Sequence, residues 1–157
     1  MLIARSVPEL RAAVAAARAA GKRVGLVPTM GCLHEGHLSL VDLARSRSEF
    51  TVVTIFVNPT QFGPKEDFSR YPRPFDEDCR LCAGRGVDVV FAPGSDFYAP
   101  DHSTWVDEAA VSQGLCGEHR PGHFRGVATV VLKLLNAAQA DVAVFGRKDL
   151  QQLAVIR

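Results

Sequence analysis

Val24-Gly25-Leu26-Val27, followed by Pro28-Thr29-Met30-Gly31-Cys32-Leu33-His34-Glu35-Gly36-His37-Leu38-Ser39-Leu40, is the stretch whose reading decides the fold. Four apolar residues suit a short buried strand, a Gly-bearing turn follows, and the next segment carries helical periodicity. A strand, a turn and a helix start in that order build an anion site. The first N–H groups of the helix and the positive end of its dipole face whatever lies above the strand. His34 and His37 stand three residues apart, a spacing that places both imidazoles on one face of the first helical turn, where they can follow charge onto phosphate oxygens. Gly36 between them lets a ligand approach the backbone closely. Two imidazoles with no third ligand nearby do not make a metal site, so the pattern speaks of nucleotide chemistry.

Outward from this stretch, buried-strand patterns recur at Val24 to Val27, Thr51 to Val57, Val87 to Phe91 and Val142 to Phe145. Helices are expected over Val7 to Ala20, Gly36 to Arg47, Pro74 to Arg85 and Phe124 to Ala138. Ser6 and Glu9 form a capping box, Pro8 suits a first turn, and Gly21 suits the position after the last turn. Val127, Val131, Leu134 and Ala138 make one core-facing stripe. Strands that alternate with helices and lack polar alternation predict an α/β fold: a doubly wound parallel sheet, Rossmann-like, with helices on both faces. Ligands in such sheets bind beyond the carboxyl ends of the strands. Three candidate segments fall there: the His34/His37 turn, Asn58-Pro59-Thr60-Gln61-Phe62, and Gly146-Arg147-Lys148-Asp149. The segment Pro93 to Ser112 reads as a long connection, a lid or an edge element.

The 157 residues suit one domain, residues 1–157, and 47% hydrophobic with 22% charged residues is ordinary globular composition. Eighteen Lys and Arg against 17 Asp and Glu leave a net charge of +1, so no global field recruits nucleic acid or an anionic membrane. No apolar run approaches the roughly 20 residues of a membrane span, and no signal-peptide core is evident; a cytoplasmic chain is expected. Cys79 and Cys82 have C-x-x-C spacing, and Cys116 and His119 have C-x-x-H spacing. One zinc site, or a redox pair, is therefore an alternative to simple thiol packing in a helix. The ending Leu150 to Ile156 is apolar and lacks a stop signal, so truncation is expected.

Pro28–Leu40, then FVNPTQFGPKEDFSRYPR, LCGEHRPGHFRGVATVVLKLLN and FGRKDLQQL, resemble the pantothenate synthetase family of the His-x-Gly-His nucleotidyltransferase superfamily, over essentially the whole chain. The resemblance implies ATP-dependent condensation of pantoate with β-alanine through a pantoyl-adenylate, with AMP and pyrophosphate released, Mg²⁺ carried on the phosphates, and a homodimer. It implies that Met30, Gly31, Cys32, Leu33, His34, Glu35, Gly36 and His37 form an ATP-binding turn, with Gly146, Arg147, Lys148 and Asp149 as the second ATP segment. His37, His34 and Lys148 would be catalytic, and Gln61, Gln152 and Asn58 would hold pantoate or β-alanine. Carboxamides suit that task, because each offers a donor and an acceptor to a hydroxy acid. Lys148 would supply a compact cation for the triphosphate and Asp149 an acceptor for ribose hydroxyls.

Position 147 is Arg where the family usually has Glu, which adds positive charge beside Lys148. The family also continues into a smaller C-terminal domain whose loop closes over the triphosphate, so half a site is expected to bind ligands with little turnover. Arg120-Pro121-Gly122-His123-Phe124 also resembles the family pattern; a rigid turn that sets a helix entry and a catalytic role both stand open for it, and its residues are left out of the catalytic set. Two further readings stand beside the resemblance: another His-x-Gly-His adenylyltransferase acting on phosphopantetheine or nicotinate mononucleotide, and the zinc or redox module of Cys79, Cys82, Cys116 and His119.

Overall fold

The computed structural model describes residues 1–63 and 68–157; residues 64–67 of the NPTQF-containing motif lie outside them. Among the described residues five parallel strands make one sheet: β1 (Leu2–Ala4), β2 (Val24–Thr29), β3 (Phe50–Ile55), β4 (Val89–Phe91) and β5 (Val142–Ala143), in the order β1-β4-β3-β2-β5. The helices are α1 (Val7–Ala19), α2 (Glu35–Arg45), α3 (Phe75–Gly84), α4 (Leu115–His119), α5 (His123–Ala138) and α6 (Leu150–Ile156). The expected doubly wound α/β architecture is present.

Alternation along each strand sorts side chains to two faces. Val24, Leu26, Val52, Val89 and Phe91 turn toward α1 and α5, where they meet Leu10, Val14, Val127, Val130, Val131 and Leu134. Val27, Val53 and Val90 turn the other way, toward Val41 and Ala44 of α2 and Cys82 of α3. Complete burial of a Val or Leu side chain contributes about 1.5 to 3 kcal/mol, so the two layers together fix the sheet between them. The α5 stripe lies in the core as its period requires, with Val127, Val131, Leu134 and Ala138 all buried.

Local signals act where they were expected. Ser6 and Glu9 form both halves of the capping box on α1, and Gly21 follows the helix with φ +74°. Three differences from the sequence reading have physical causes. Leu2–Ala4 is an edge strand that the sequence did not announce, because it is three residues long and only Ala4 is buried. The last strand shrinks to Val142–Ala143, pairing only with Gly25 and Leu26 before the chain leaves the sheet. Within the connection Pro93 to Ser112, residues 98–110 form no edge strand; the Val106 amide donates to Thr129 Oγ1 of α5 at 3.0 Å and Arg125 stacks on Trp105 at 4.9 Å.

The sheet's winding sets the site. From β2 the chain steps outward through β3 and β4 to one side, whereas β5 pairs with β2 on the other. Strand order thus reverses between β2 and β5, and a crevice opens at their carboxyl ends. α5 closes the floor of this crevice against the turn Pro59–Gln61. A Cβ on Gly126 would lie 2.4 Å from the Thr60 carbonyl oxygen and 2.9 Å from Gln61 Cα, so helix and turn touch only because position 126 has no side chain. Gly126→Ala is expected to destabilise the chain by about 1 to 3 kcal/mol and to displace the turn. A thermal melt against the parent chain measures this; an unchanged midpoint contradicts the contact.

Candidate functional site

The three strand-end segments meet. One cavity of about 160 Å³ is lined by Met30 and His37 from the β2 turn, Asn58 and Gln61 from the segment after β3, Asp149 and Gln152 from the segment after β5, and Val127, Val130, Val131 and Leu134 of α5. A wider cavity of about 550 Å³ shares Met30, Gln61, Asp149 and Gln152 with it and adds Tyr71, Arg120, His123 and Lys148. An apolar floor with convergent amides, imidazoles and cations is the character of a small-molecule site.

The β2 turn differs in detail from its sequence reading. His34 is the N-cap of α2, with extended backbone, and its Nδ1 accepts the Gly36 N–H at 3.0 Å. In the neutral ring the proton therefore sits on Nε2, which leaves a donor for an anion. His37 follows inside the helix, and the two rings lie 4.2 Å apart between centroids at 46°. Gly36 also makes room for the imidazole itself: a Cβ there would lie 2.8 Å from His34 Cε1, and the ring would have to shift. Glu35 turns its carboxylate away to Arg85 at the end of α3, 2.8 Å distant. Leu33 packs against the core of the α2/α3 face.

The amides of this turn are also engaged. Gly31 N–H donates to Thr29 Oγ1 at 3.1 Å, and the Cys32 and Leu33 N–H groups donate to the two oxygens of Asp78 at 2.9 and 2.7 Å. These three amides are satisfied inside the protein, so the two imidazoles are the side-chain donors that the turn offers an anion. His37 is half-buried, and its Nδ1 has no hydrogen-bond partner among the described residues. Burial first, then the neighbouring His34, lowers its proton affinity below the ordinary value of 6.5; the Asp78 carboxylate acts the other way, and Lys148 lowers it further.

Asn58 is 1% exposed and its carboxamide is fully engaged. It donates to Gln61 Oε1 and to the Gly126 carbonyl, both at 3.1 Å, and accepts from the Thr60 hydroxyl at 2.9 Å. Asn58 therefore aims Gln61 from below. Gln61 Nε2 reaches Met30 Sδ at 3.1 Å, joining the second segment to the first. In the third segment Gln152 lines both cavities, whereas Gln151 clasps the preceding loop: it accepts the Cys116 N–H at 2.9 Å and donates to the carbonyls of Val111, Gln113 and Gly114. Lys148 and Asp149 pair at 3.5 Å with the lysine side chain 89% exposed, so this contact leaves the ammonium free to move toward a ligand. Gly146 is half-buried and Arg147 exposed beside them.

Two contributors, Asp78 and His123, have roles that the sequence did not assign. Asp78 belongs to a helix whose acidic first turn looked like ordinary dipole matching. His123 is buried beneath Gln61: Arg120 Nη1 lies 3.0 Å from His123 Nε2, and since guanidinium only donates, the other ring nitrogen donates to the Gln61 carbonyl, also at 3.0 Å. The motif at residues 120–124 is thus both the expected turn, with Gly122 at φ +81°, and a polar clasp on the site. The Pro-Gly pairing of the motif signalled only the turn.

Cys79, Cys82, Cys116 and His119 do not gather. No group of three or more His, Cys, Asp or Glu that could hold a metal occurs among the described residues. Cys82 is fully buried beneath the sheet and its thiol is pushed up to about 12, chiefly by burial. Cys116 is exposed on α4, whereas Cys79 and Cys82 belong to α3, and all four cysteines are free thiols. No helix among the described residues is long and apolar enough to cross a membrane.

The Pantoate-beta-alanine ligase family model matches residues 2–157. Pantothenate synthetase 1 of Bradyrhizobium diazoefficiens is 55% identical over all of the chain and 56% of its own length. Pantothenate synthetase of Acetivibrio thermocellus is 50% identical over the same shares. Among solved structures, the pantothenate synthetase of Thermus thermophilus superposes with a TM-score of 0.92 at 47% identity, covering 100% of this chain and 56% of that one. A Francisella tularensis pantoate-beta-alanine ligase, complexed with beta-gamma ATP and beta-alanine, gives 0.90 at 37% identity over 99% of this chain and 60% of that one. The chain spans about 56% of the length of the curated relatives it matches.

The environment of His37 fixes the sign of a pH effect. Its proton affinity is lower folded than unfolded, so its share of stability is complete above the ordinary value of 6.5 and is lost as pH falls through the folded value. An NMR titration of the His37 ring should show a midpoint below 6.5 that rises when an anion occupies the site. A midpoint at or above 6.5 in the free chain contradicts the geometry.

Proposed function

Because this chain belongs to the pantoate-beta-alanine ligase family, we propose that it is the nucleotide- and pantoate-binding part of an ATP-dependent ligase joining pantoate to β-alanine. The observation that carries the proposal is the meeting of His37, Gln61, Gln152 and Asp149, from three separate strand ends, around one cavity. As a single domain, residues 1–157 would supply the floor and the first two walls of the site. The alternatives, phosphopantetheine or nicotinate mononucleotide transfer and a zinc module, are supported neither by the matching family nor by any grouping of metal ligands among the described residues.

In the proposed first step a pantoate carboxylate oxygen attacks the α-phosphorus of ATP. A C–O–P linkage forms, the bond from that phosphorus to the bridging oxygen breaks, and pyrophosphate leaves with the electron pair. Charge builds on phosphate oxygens as this happens, and preorganised donors aimed at those oxygens lower the barrier. His34, with Nε2–H available, and His37 beside it supply such donors, and the mobile Lys148 ammonium adds a full charge. A neutral His37 donates a hydrogen bond without yielding its proton, so the step needs no proton transfer from it. Gln61, steadied by Asn58 below and by His123 on its backbone, and Gln152 opposite would hold the pantoate hydroxyls and carboxylate in line. In the second step the β-alanine amine attacks the acyl carbon, loses a proton, and AMP departs.

Met30 to His37 and Gly146 to Asp149 would border the nucleotide, with Asp149 toward the ribose. Leu33 would only shape the turn, with its side chain in the core and its N–H bound to Asp78, and Glu35 turns its carboxylate to Arg85. Mg²⁺ enters this scheme on the phosphates. No carboxylate cage exists among the described residues, and an ion that keeps its waters and rides on substrate phosphates needs none; bound there it neutralises phosphate charge. A homodimer in the cytoplasm is the assembly and location proposed with this reading.

Binding is testable on this chain and turnover on a chain of the relatives' full length. Isothermal titration should show pantoate binding that Gln61→Ala weakens about tenfold or more, as expected for a lost hydrogen bond to a charged group. With ATP and pantoate the longer protein should release AMP and pyrophosphate; ADP would sink the adenylate route. His37→Ala in that protein should lower the first step by about 10² to 10³, the usual cost of removing one transition-state donor.

A further inference from the structure

The geometry points to Asp78 as the positioning residue of the phosphate-facing turn: its carboxylate occupies the turn's own anion hole and thereby holds His34 and His37 in place. Asp78 lies on α3, 1% exposed, 45 or 46 residues from the amides it binds. Oδ2 accepts from Cys32 N–H at 2.9 Å and Oδ1 from Leu33 N–H at 2.7 Å. Both bonds are charge-assisted and out of water, where such bonds are strong.

The turn needs this anchor. Gly31 at φ +84° and Cys32 at φ +53° are successive left-handed residues, and the second carries a side chain that disfavours that region. The opposite side of the turn is fixed through Thr29, whose hydroxyl donates to the Thr54 carbonyl at 2.6 Å and accepts from Gly31 N–H. Held from β3 on one side and α3 on the other, the chain can deliver His34 as N-cap with its ring folded over Gly36. Gly31 completes the fit: a Cβ there would lie 2.8 Å from Asp78 Oδ2 and 3.0 Å from Ile55 Cγ2. The carboxylate also has a chemical effect. With the two amides consumed by an internal anion, phosphate is turned away from the inner face of the loop and toward the imidazoles and Lys148. The groups facing His37 are then His34, Lys148 and Asp78, and Asp78 is the one that favours its proton.

The role in ligand binding rests on the proposed function; the role in holding the turn does not, and the test separates them. In Asp78→Asn the carboxamide can accept only one of the two N–H groups, while Asp76→Asn changes an exposed carboxylate in the first turn of the same helix. For Asp78→Asn, hydrogen exchange at the Cys32 and Leu33 amides should quicken about tenfold or more, and the His37 NMR titration should move to lower pH. Binding of inorganic tripolyphosphate should weaken about fivefold or more. Asp76→Asn should match the parent in all three. Gly31→Ala, whose Cβ pushes the carboxylate away, should reproduce the exchange result and serves if Asp78→Asn does not fold. Parent-like exchange at residues 32 and 33 with an unmoved His37 titration, in a folded variant, overturns the assignment. Failure of tripolyphosphate to bind the parent chain would instead remove the nucleotide reading, leaving the exchange and titration results to decide the role of Asp78.

Discussion

Parallel pairing of β2 with β3 on one side and β5 on the other is the constraint from which the site follows. Each strand is too short to matter by itself, and β5 is only two residues long. Their common direction nevertheless brings three unrelated loops out at the same edge, and the reversal of winding at β2 leaves a gap there. Parallel sheets expose such gaps by construction, because every connection must cross a face of the sheet to return. The chemistry is therefore placed by topology before any side chain is chosen.

Within that frame the polar residues divide into those that face the crevice and those that hold them. Gln61 and Gln152 present their amides to it; Asn58 and His123, which also line its walls, bond Gln61 and backbone, and Gln151 bonds the backbone of the loop ahead of α4. Such division limits the loss of conformational entropy on binding. A glutamine free on a loop loses rotamer freedom when it binds, and one already held by neighbours has lost it on folding.

How far the sequence discloses this arrangement depends on the range of the interaction. Apolar runs at Val24 and Thr51, the stripe of α5 and the capping box at Ser6 are local patterns, and each stands where its pattern places it. The convergence of the His34/His37 turn, Asn58/Gln61 and Lys148/Gln152 was also legible, because in a parallel sheet every loop after a strand has one common destination. The edge strand Leu2–Ala4 was not, since it is short and mostly exposed. Asp78 was hidden for another reason: nothing within a helical window shows that a carboxylate will be needed by amides some 45 residues earlier. At Gly36 a close approach was legible but the contact with the His34 ring was not, because His34 caps the helix instead of lying within it.

The two-residue length of β5 carries a consequence of its own. The segment from Gly146 to Gln152 therefore leaves the sheet with little ladder behind it and is tied instead by Gln151, whose carboxamide bonds to the backbone of Val111, Gln113, Gly114 and Cys116. One carboxamide thus takes over what backbone pairing would otherwise do, and it couples this wall of the crevice to the loop ahead of α4.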